Sequence, residues 1–186
     1  MPIRKMKFIL SLFILFFFVT GTKLFACDCG PLEKLDTIRE KEYGNSDVVF
    51  TGRIISLSEG WEDFQIGVTE FFKGKIKRGQ ILSGKNNTGC EPYIDKGGEW
   101  LIYGKIVNDS LVINPCGLSR SFDFPYENRY FRSIPVPPLP AGRDSTFNDA
   151  ERIKKIVDTG KLYKEKAKEE LKEEIEMLRK KKKLNY

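Results

Sequence analysis

The sequence predicts a mainly β domain: a small closed barrel or sandwich of five short strands, with a short helix before it and a Lys/Glu-rich helical tail after it. Three observations carry this. Between residues 47 and 114, β-branched and aromatic residues alternate with polar ones in short runs separated by Gly-rich turns. Four cysteines, Cys27, Cys29, Cys90 and Cys116, lie in and around that region. From residue 146 onward the apolar period becomes helical, within a stretch dominated by Lys and Glu.

Arg4, Lys5 and Lys7 precede an apolar run over residues 8–19 interrupted only by Ser11, and small Ala26 stands before Cys27. That is the order of an export signal cleaved after Ala26. Residues 1–26 are therefore expected to be a signal peptide, with Cys27 as the mature N-terminus. The apolar run falls short of the roughly 20 residues a membrane span needs, so an uncleaved anchor is the lesser reading. What remains after cleavage is enough for one domain with a core. The expected location is secreted, periplasmic or extracellular. Leu24-Phe25-Ala26-Cys27 also approximates a bacterial lipobox. Lipidation there would anchor the protein at the cell surface and block both the thiol and the amine of Cys27.

The net charge of +6 belongs to the two ends. The signal carries four basic residues and no acid, the tail from Thr146 has a net +4, and residues 27–145 have a net −2. Such a middle offers no field for nucleic acid.

The elements follow in order. Residues 31–43 read as a helix, with Pro31 at its first position and Leu32, Leu35 and Ile38 at helical spacing. Gly44-Asn45-Ser46 ends it. A strand over 47–57 places Val48, Phe50 and Ile54 on one face, and Val49, Thr51 and Ile55 on the other. A second over 64–72 alternates through Phe64, Ile66 and Val68, and a short third covers 80–83 after a basic turn. Strands over 99–106 and 110–114 form a hairpin around Val107-Asn108-Asp109. Residues 123–145 are expected to be a Pro-rich strap or linker. In the tail, 146–186, Asn148 and Glu151 make a capping box. Asp158-Thr159-Gly160 is expected to break the helix. Beyond it Tyr163, Ala167, Leu171, Ile175 and Leu178 form one stripe among Lys and Glu.

An even cysteine number in an exported chain reads as two disulfides. Pairing Cys27 with Cys29 would close a strained ring. Two pairings stay open, and both tie the N-terminal strand to distant places. A metal reading is weak, because the chain has no histidine and Cys-x-Cys is not the usual ligand spacing.

With these parts in place, the chain resembles the N-terminal domain of the tissue inhibitors of metalloproteinases, within the netrin-like module group. The resemblance covers residues 27–122. It rests on Cys27-Asp-Cys29-Gly-Pro31, Asn45-Ser-Asp-Val-Val49, Phe72-Lys-Gly74, Cys90, Gly98-Glu-Trp-Leu-Ile-Tyr-Gly104 and Asn114-Pro-Cys116. It implies an OB-fold-like five-stranded barrel and the bridges Cys27–Cys90 and Cys29–Cys116. It also implies a function. In those inhibitors the α-amine and carbonyl of the N-terminal cysteine chelate the zinc of a metalloprotease; here that residue is Cys27. Amine and carbonyl form a five-membered chelate, and a zinc protease keeps an open coordination position. The amine, with a reference pKa of about 7.7–8.0, deprotonates readily at neutral pH.

The implied inhibitory ridge is Cys27, Asp28, Cys29 and Gly30, with Thr88 and Gly89 beside it. Asp28 departs from the family, which places a small Thr or Ser where the side chain enters the S1′ pocket. Burying a carboxylate there costs several kcal/mol unless it is paired. The family's second, cysteine-rich subdomain has no counterpart; the Pro-rich segment and the tail stand in its place. The alternative function is an extracellular binding or scaffold module with no protease target.

An enzyme is not expected: the chain lacks histidine, Gly-x-Ser-x-Gly and a phosphate loop. No cofactor and no metal of its own are expected. Glu70, Asp95 and Glu99 read as surface charge, Trp100 as barrel core, and Trp61, beside Gly60, as either core or ligand platform.

Overall fold

A computed structural model of the protein describes residues 29–86, 94–131 and 149–184. At its centre five strands close a barrel: β1 (Val48–Leu57), β2 (Asp63–Lys73), β3 (Ile81–Lys85), β4 (Glu99–Val107) and β5 (Ser110–Ile113). β1 pairs with β2 and β2 with β3, both antiparallel. β3 meets β5 in parallel at Gly84 and Leu111. β5 pairs with β4, and β4 returns to β1. The circuit 1-2-3-5-4-1 leaves no open edge between first and last strand and has the strand number of an OB-fold-like barrel. Gly84 permits the closure. A Cβ there would enter the Phe64 ring and stand 2.7 Å from the Leu111 carbonyl oxygen.

Among the described residues, two α-helices and a short strand flank the barrel. Helix α1 (Leu35–Asn45) precedes the barrel and α2 (Asp149–Leu184) follows it. β6 (Arg120–Ser121) pairs with β4 outside the closed circuit.

The apolar residues form two cores. The first fills the barrel with Phe50, Phe64, Ile66, Trp100, Ile102 and Leu111 among others. The second lies outside, where Val49, Phe72, Leu101, Tyr103 and Leu118 meet Ile38 of α1 and Leu171, Ile175 and Leu178 of α2. The start of β1 is therefore buried on both faces, with Val48 and Phe50 inside and Val49 under the helices. Each aliphatic side chain buried from α2 stabilises by roughly 1.5–3 kcal/mol. The tail is thus a wall of the second core.

Some boundaries differ from the sequence reading. α1 starts at Leu35, four residues later than Pro31 suggested. The chain at Cys29 and Gly30 is held by other contacts, and Gly30 has φ +58°, which no right-handed helix contains. β3 starts at Ile81, because the Gln80 N–H donates to the Lys77 carbonyl within the preceding turn. α2 runs unbroken through Asp158-Thr159-Gly160. One interior glycine costs about 1 kcal/mol, too little to stop a helix rich in Lys, Glu, Ala and Leu. Of the segment 123–145, residues 123–131 fold onto the barrel through a 3₁₀ turn (Pro125–Glu127), with Phe122, Tyr130 and Phe131 against the second core. The Pro-rich remainder, the leader before Cys29 and Asn148 of the capping box lie outside the described residues.

Candidate functional site

The described part of the ridge is Cys29 and Gly30, and three contacts fix it. A disulfide joins Cys29 to Cys116 with Cα atoms 5.3 Å apart, as the resemblance implied. Arg129 donates from Nη1 to the Cys29 carbonyl at 2.9 Å and from Nη2 to the Gly30 carbonyl at 2.7 Å. One guanidinium thus grips two successive carbonyls in its rigid fork. Nothing in the spacing singled out Arg129; it stands 100 residues from Cys29 in sequence.

The Cys116 side is equally braced. The Cys116 N–H donates to Asn114 Oδ1 at 3.1 Å, and Asn114 Nδ2 donates to the Glu42 carboxylate at 3.0 Å. Gly117 lies so close to Glu42 that a Cβ would collide with its carboxylate. Asn128 Nδ2 donates to the carbonyls of Gly117 and Ser119 at 2.9 and 3.1 Å. Burial raises the Glu42 carboxyl above the ordinary carboxylate value, and hydrogen bonds from Asn114 and the Leu118 N–H offset only part of this. A buried carboxylate therefore ties α1 to the loop bearing Cys116. The other predicted ridge residues, Cys27, Asp28, Thr88 and Gly89, lie outside the described residues, as does Cys90 and with it the bridge Cys27–Cys90.

Residues 86 and 94, which flank the undescribed stretch, are fastened by one side chain. Asn86 Nδ2 donates to the carbonyls of Trp61 and Ile94 at 2.5 and 2.8 Å, and Asn86 Oδ1 accepts from the Ile94 N–H at 3.0 Å. The two tryptophans separate: Trp100 is buried in the barrel, whereas Trp61 is 51% exposed with φ 60°.

The carboxylates set aside in the sequence each have a separate partner. Glu70 takes a fork from Arg179 of α2, which lowers its pKa. Asp95 lies 3.9 Å from Lys96, and Glu99 accepts from the Thr69 hydroxyl at 3.0 Å.

A buried ionic cluster went unread in the sequence. Glu174 of α2 accepts from Arg39 Nε at 2.9 Å, from Arg120 Nη2 at 2.9 Å and from the Tyr103 hydroxyl at 2.7 Å. The Glu174 side chain is 0% exposed and that of Arg120 is 1% exposed. Burial pushes the Glu174 carboxyl upward, but the Arg120 charge and the hydrogen bonds from Arg120, Tyr103 and Arg39 outweigh it. The net shift is downward, so the group stays ionised. The only sequence signal was Glu174 beside Ile175 on the apolar stripe. This cluster binds four elements to one another and offers solvent no reactive group.

Among the described residues no group of acidic or cysteine ligands could hold a metal. Among them, too, no helix is long and apolar enough to cross a membrane. The chain matches no protein-family model, and no curated protein matches it. A disulfide between distant segments is compatible with an extracellular or periplasmic location.

Proposed function

We propose that the protein is an exported inhibitor of zinc metalloendopeptidases, acting through the mature N-terminus at Cys27 like the tissue inhibitors it resembles. The observation that supports this best is the double hold on the next residues: the Cys29–Cys116 bridge together with the Arg129 fork on the carbonyls of Cys29 and Gly30. An N-terminal chelator needs such a base. Binding then costs little chain entropy, because the leader is already fixed two residues from the chelating amine. The zinc belongs to the protease; this chain supplies an amine and a carbonyl.

The test compares two natively oxidised proteins, one starting at Cys27 and one with an extra alanine before it, against a panel of zinc endopeptidases. The reading requires inhibition by the first and a loss of at least a hundredfold in the second. Equal behaviour of the two on every protease would sink it. Within this reading Asp28→Thr improves inhibition of proteases with an apolar S1′ pocket, because an ionised side chain no longer enters it.

A second reading is an extracellular or cell-surface binding module without a protease target, and Asp28 is the residue that favours it. Intact mass spectrometry of the exported protein separates the readings further. A Cys27 lipidated on both its sulfur and its α-amine has neither a free thiol nor a free amine, and the chelating mechanism would end there.

A further inference from the structure

The turn joining β1 to β2 carries a feature that the leader does not explain. Trp61 adopts φ 60°, a region that bulky side chains rarely enter. It is held there by two hydrogen bonds: its N–H donates to the Ser58 carbonyl at 2.9 Å, and its carbonyl accepts from Asn86 Nδ2 at 2.5 Å. The result is an indole turned to solvent, 51% exposed, on a fixed backbone. Backbone strain of this kind gathers where a side chain must be presented rather than packed.

Ser58 and Asp63, which flank this turn, line one side of a groove of about 350 Å³, and Trp61 stands outside that lining, at the turn that borders it. Its polar lining includes Ser56, Ser58, Asp63, Gln65, Ser83 and Lys85. Hydroxyls and an amide dominate. The two charges oppose each other, with Lys85 Nζ 3.5 Å from Asp63 Oδ1. Two hydroxyls are already oriented, because Ser58 Oγ accepts from the Asp63 N–H at 2.9 Å and Ser56 Oγ donates to Gln65 Oε1 at 3.3 Å. Gly84 and Phe64 line the groove as well. The volume lies within the range of small-ligand sites.

We propose that this groove binds an uncharged oligosaccharide, with Trp61 as the platform for one sugar ring. A pyranose has a C–H face that covers an indole and a rim of hydroxyls that needs donors and acceptors at short range. An exposed tryptophan beside a serine- and amide-lined groove provides both. Charge selects among polymers. Glu59, Glu62 and Asp63 surround Trp61 in sequence, and a phosphate or uronate chain would meet three carboxylates within five residues. Stacking on an aromatic ring is also how single-stranded nucleic acid binds, but there it is joined to a positive groove, which this one is not. The groove shares no residue with the Cys29 anchor, so the inference stands apart from protease inhibition.

The test uses the full oxidised chain and tryptophan emission, in which Trp100 is buried and Trp61 alone meets solvent. Probes are β-1,4-linked hexamers of glucose, N-acetylglucosamine and mannose, a galacturonate hexamer and a twelve-nucleotide oligothymidylate. The expected result is a saturable blue shift with at least one uncharged hexamer and none with the two anionic probes. The variants are followed by titration calorimetry, because replacing Trp61 removes the emitting residue; by that measure Trp61→Ala, with an unchanged melting temperature, should weaken binding at least tenfold. Trp61→Phe should retain part of it, and Gln65→Ala should cost a few-fold. The proposal is overturned if no uncharged hexamer binds, if Trp61→Ala binds as the parent does, or if the oligothymidylate binds at Trp61 as tightly as any sugar.

Discussion

Glu174 faces Arg39, Arg120 and Tyr103 from a side chain with no exposure to water. Replacing a buried ion pair whole with apolar residues is often neutral, whereas removing one partner leaves the other charge stranded. Here removal would strand the Arg120 guanidinium, while Arg39 would keep Glu170 at 3.0 Å and Asp36 at 3.4 Å. Arg120 is the worse placed, since its side chain is 1% exposed and its Nε already has no hydrogen-bond partner; the cation–π contact with Phe131 offsets little of this. Glu174→Gln should therefore destabilise by roughly 3–5 kcal/mol in urea titration. The effect has a pH signature. Glu174 is shifted below its ordinary value of 4.5 in the folded protein. Its contribution is present at neutral pH, shrinks as the pH falls below that value, and is lost as the pH passes through the lower folded one. The parent's advantage over Glu174→Gln should accordingly narrow in acid when melting temperatures of both are measured from neutral pH downward. Glu42 carries the opposite sign. Raised by burial, its carboxylate weighs against folding at neutral pH, and that penalty is relieved as the pH falls through its folded value.

At the scale of elements, α2 decides whether the barrel has one core or two. A chain ending at residue 145 would uncover Val49, Phe72, Leu101, Tyr103 and Leu118, unpair Arg120 and leave Arg39 only its exposed neighbour Asp36. It should be insoluble, or bind hydrophobic dyes strongly, while the complete chain does neither. Within the helix, Gly160 has open space where a Cβ would stand. Gly160→Ala should raise stability by about 0.5–1 kcal/mol, read as a higher urea midpoint at unchanged slope. The contrast between these predictions shows what the sequence could tell. Period-two runs in β1 and β2 and the Leu171–Ile175–Leu178 stripe are local signals, and each element and its buried face were legible from them. What the stripe packs against was not legible. That depends on β1 offering Val49 outward and on arginines far off in the chain. The break expected at Gly160 fails for a similar reason: propensity adds over a whole helix, and one glycine among good formers does not decide it.

At the scale of the whole molecule, the Cys29–Cys116 bridge spans 87 residues. Closing so long a loop restricts the unfolded chain by roughly 4 kcal/mol in the chain-entropy account, an upper figure. Replacing both cysteines with serine should lower the melting temperature clearly, and β-sheet circular dichroism should persist below the new transition, since both cores remain. Of the candidate site, cysteine spacing left two pairings open, and the bridge came only as what the family resemblance implies. Arg129 and the Asn114–Glu42 brace were invisible, because a guanidinium on two carbonyls leaves no pattern in the chain. The long reach from Arg39 to Glu174, 135 residues, has one more consequence. A ribosome delivers this chain from its N-terminus, so both arginines and the apolar wall above β1 exist before the carboxylate that completes them. The second core therefore closes only once α2 has been made, whereas the barrel core, drawn from Val48 to Ile113, is complete before it.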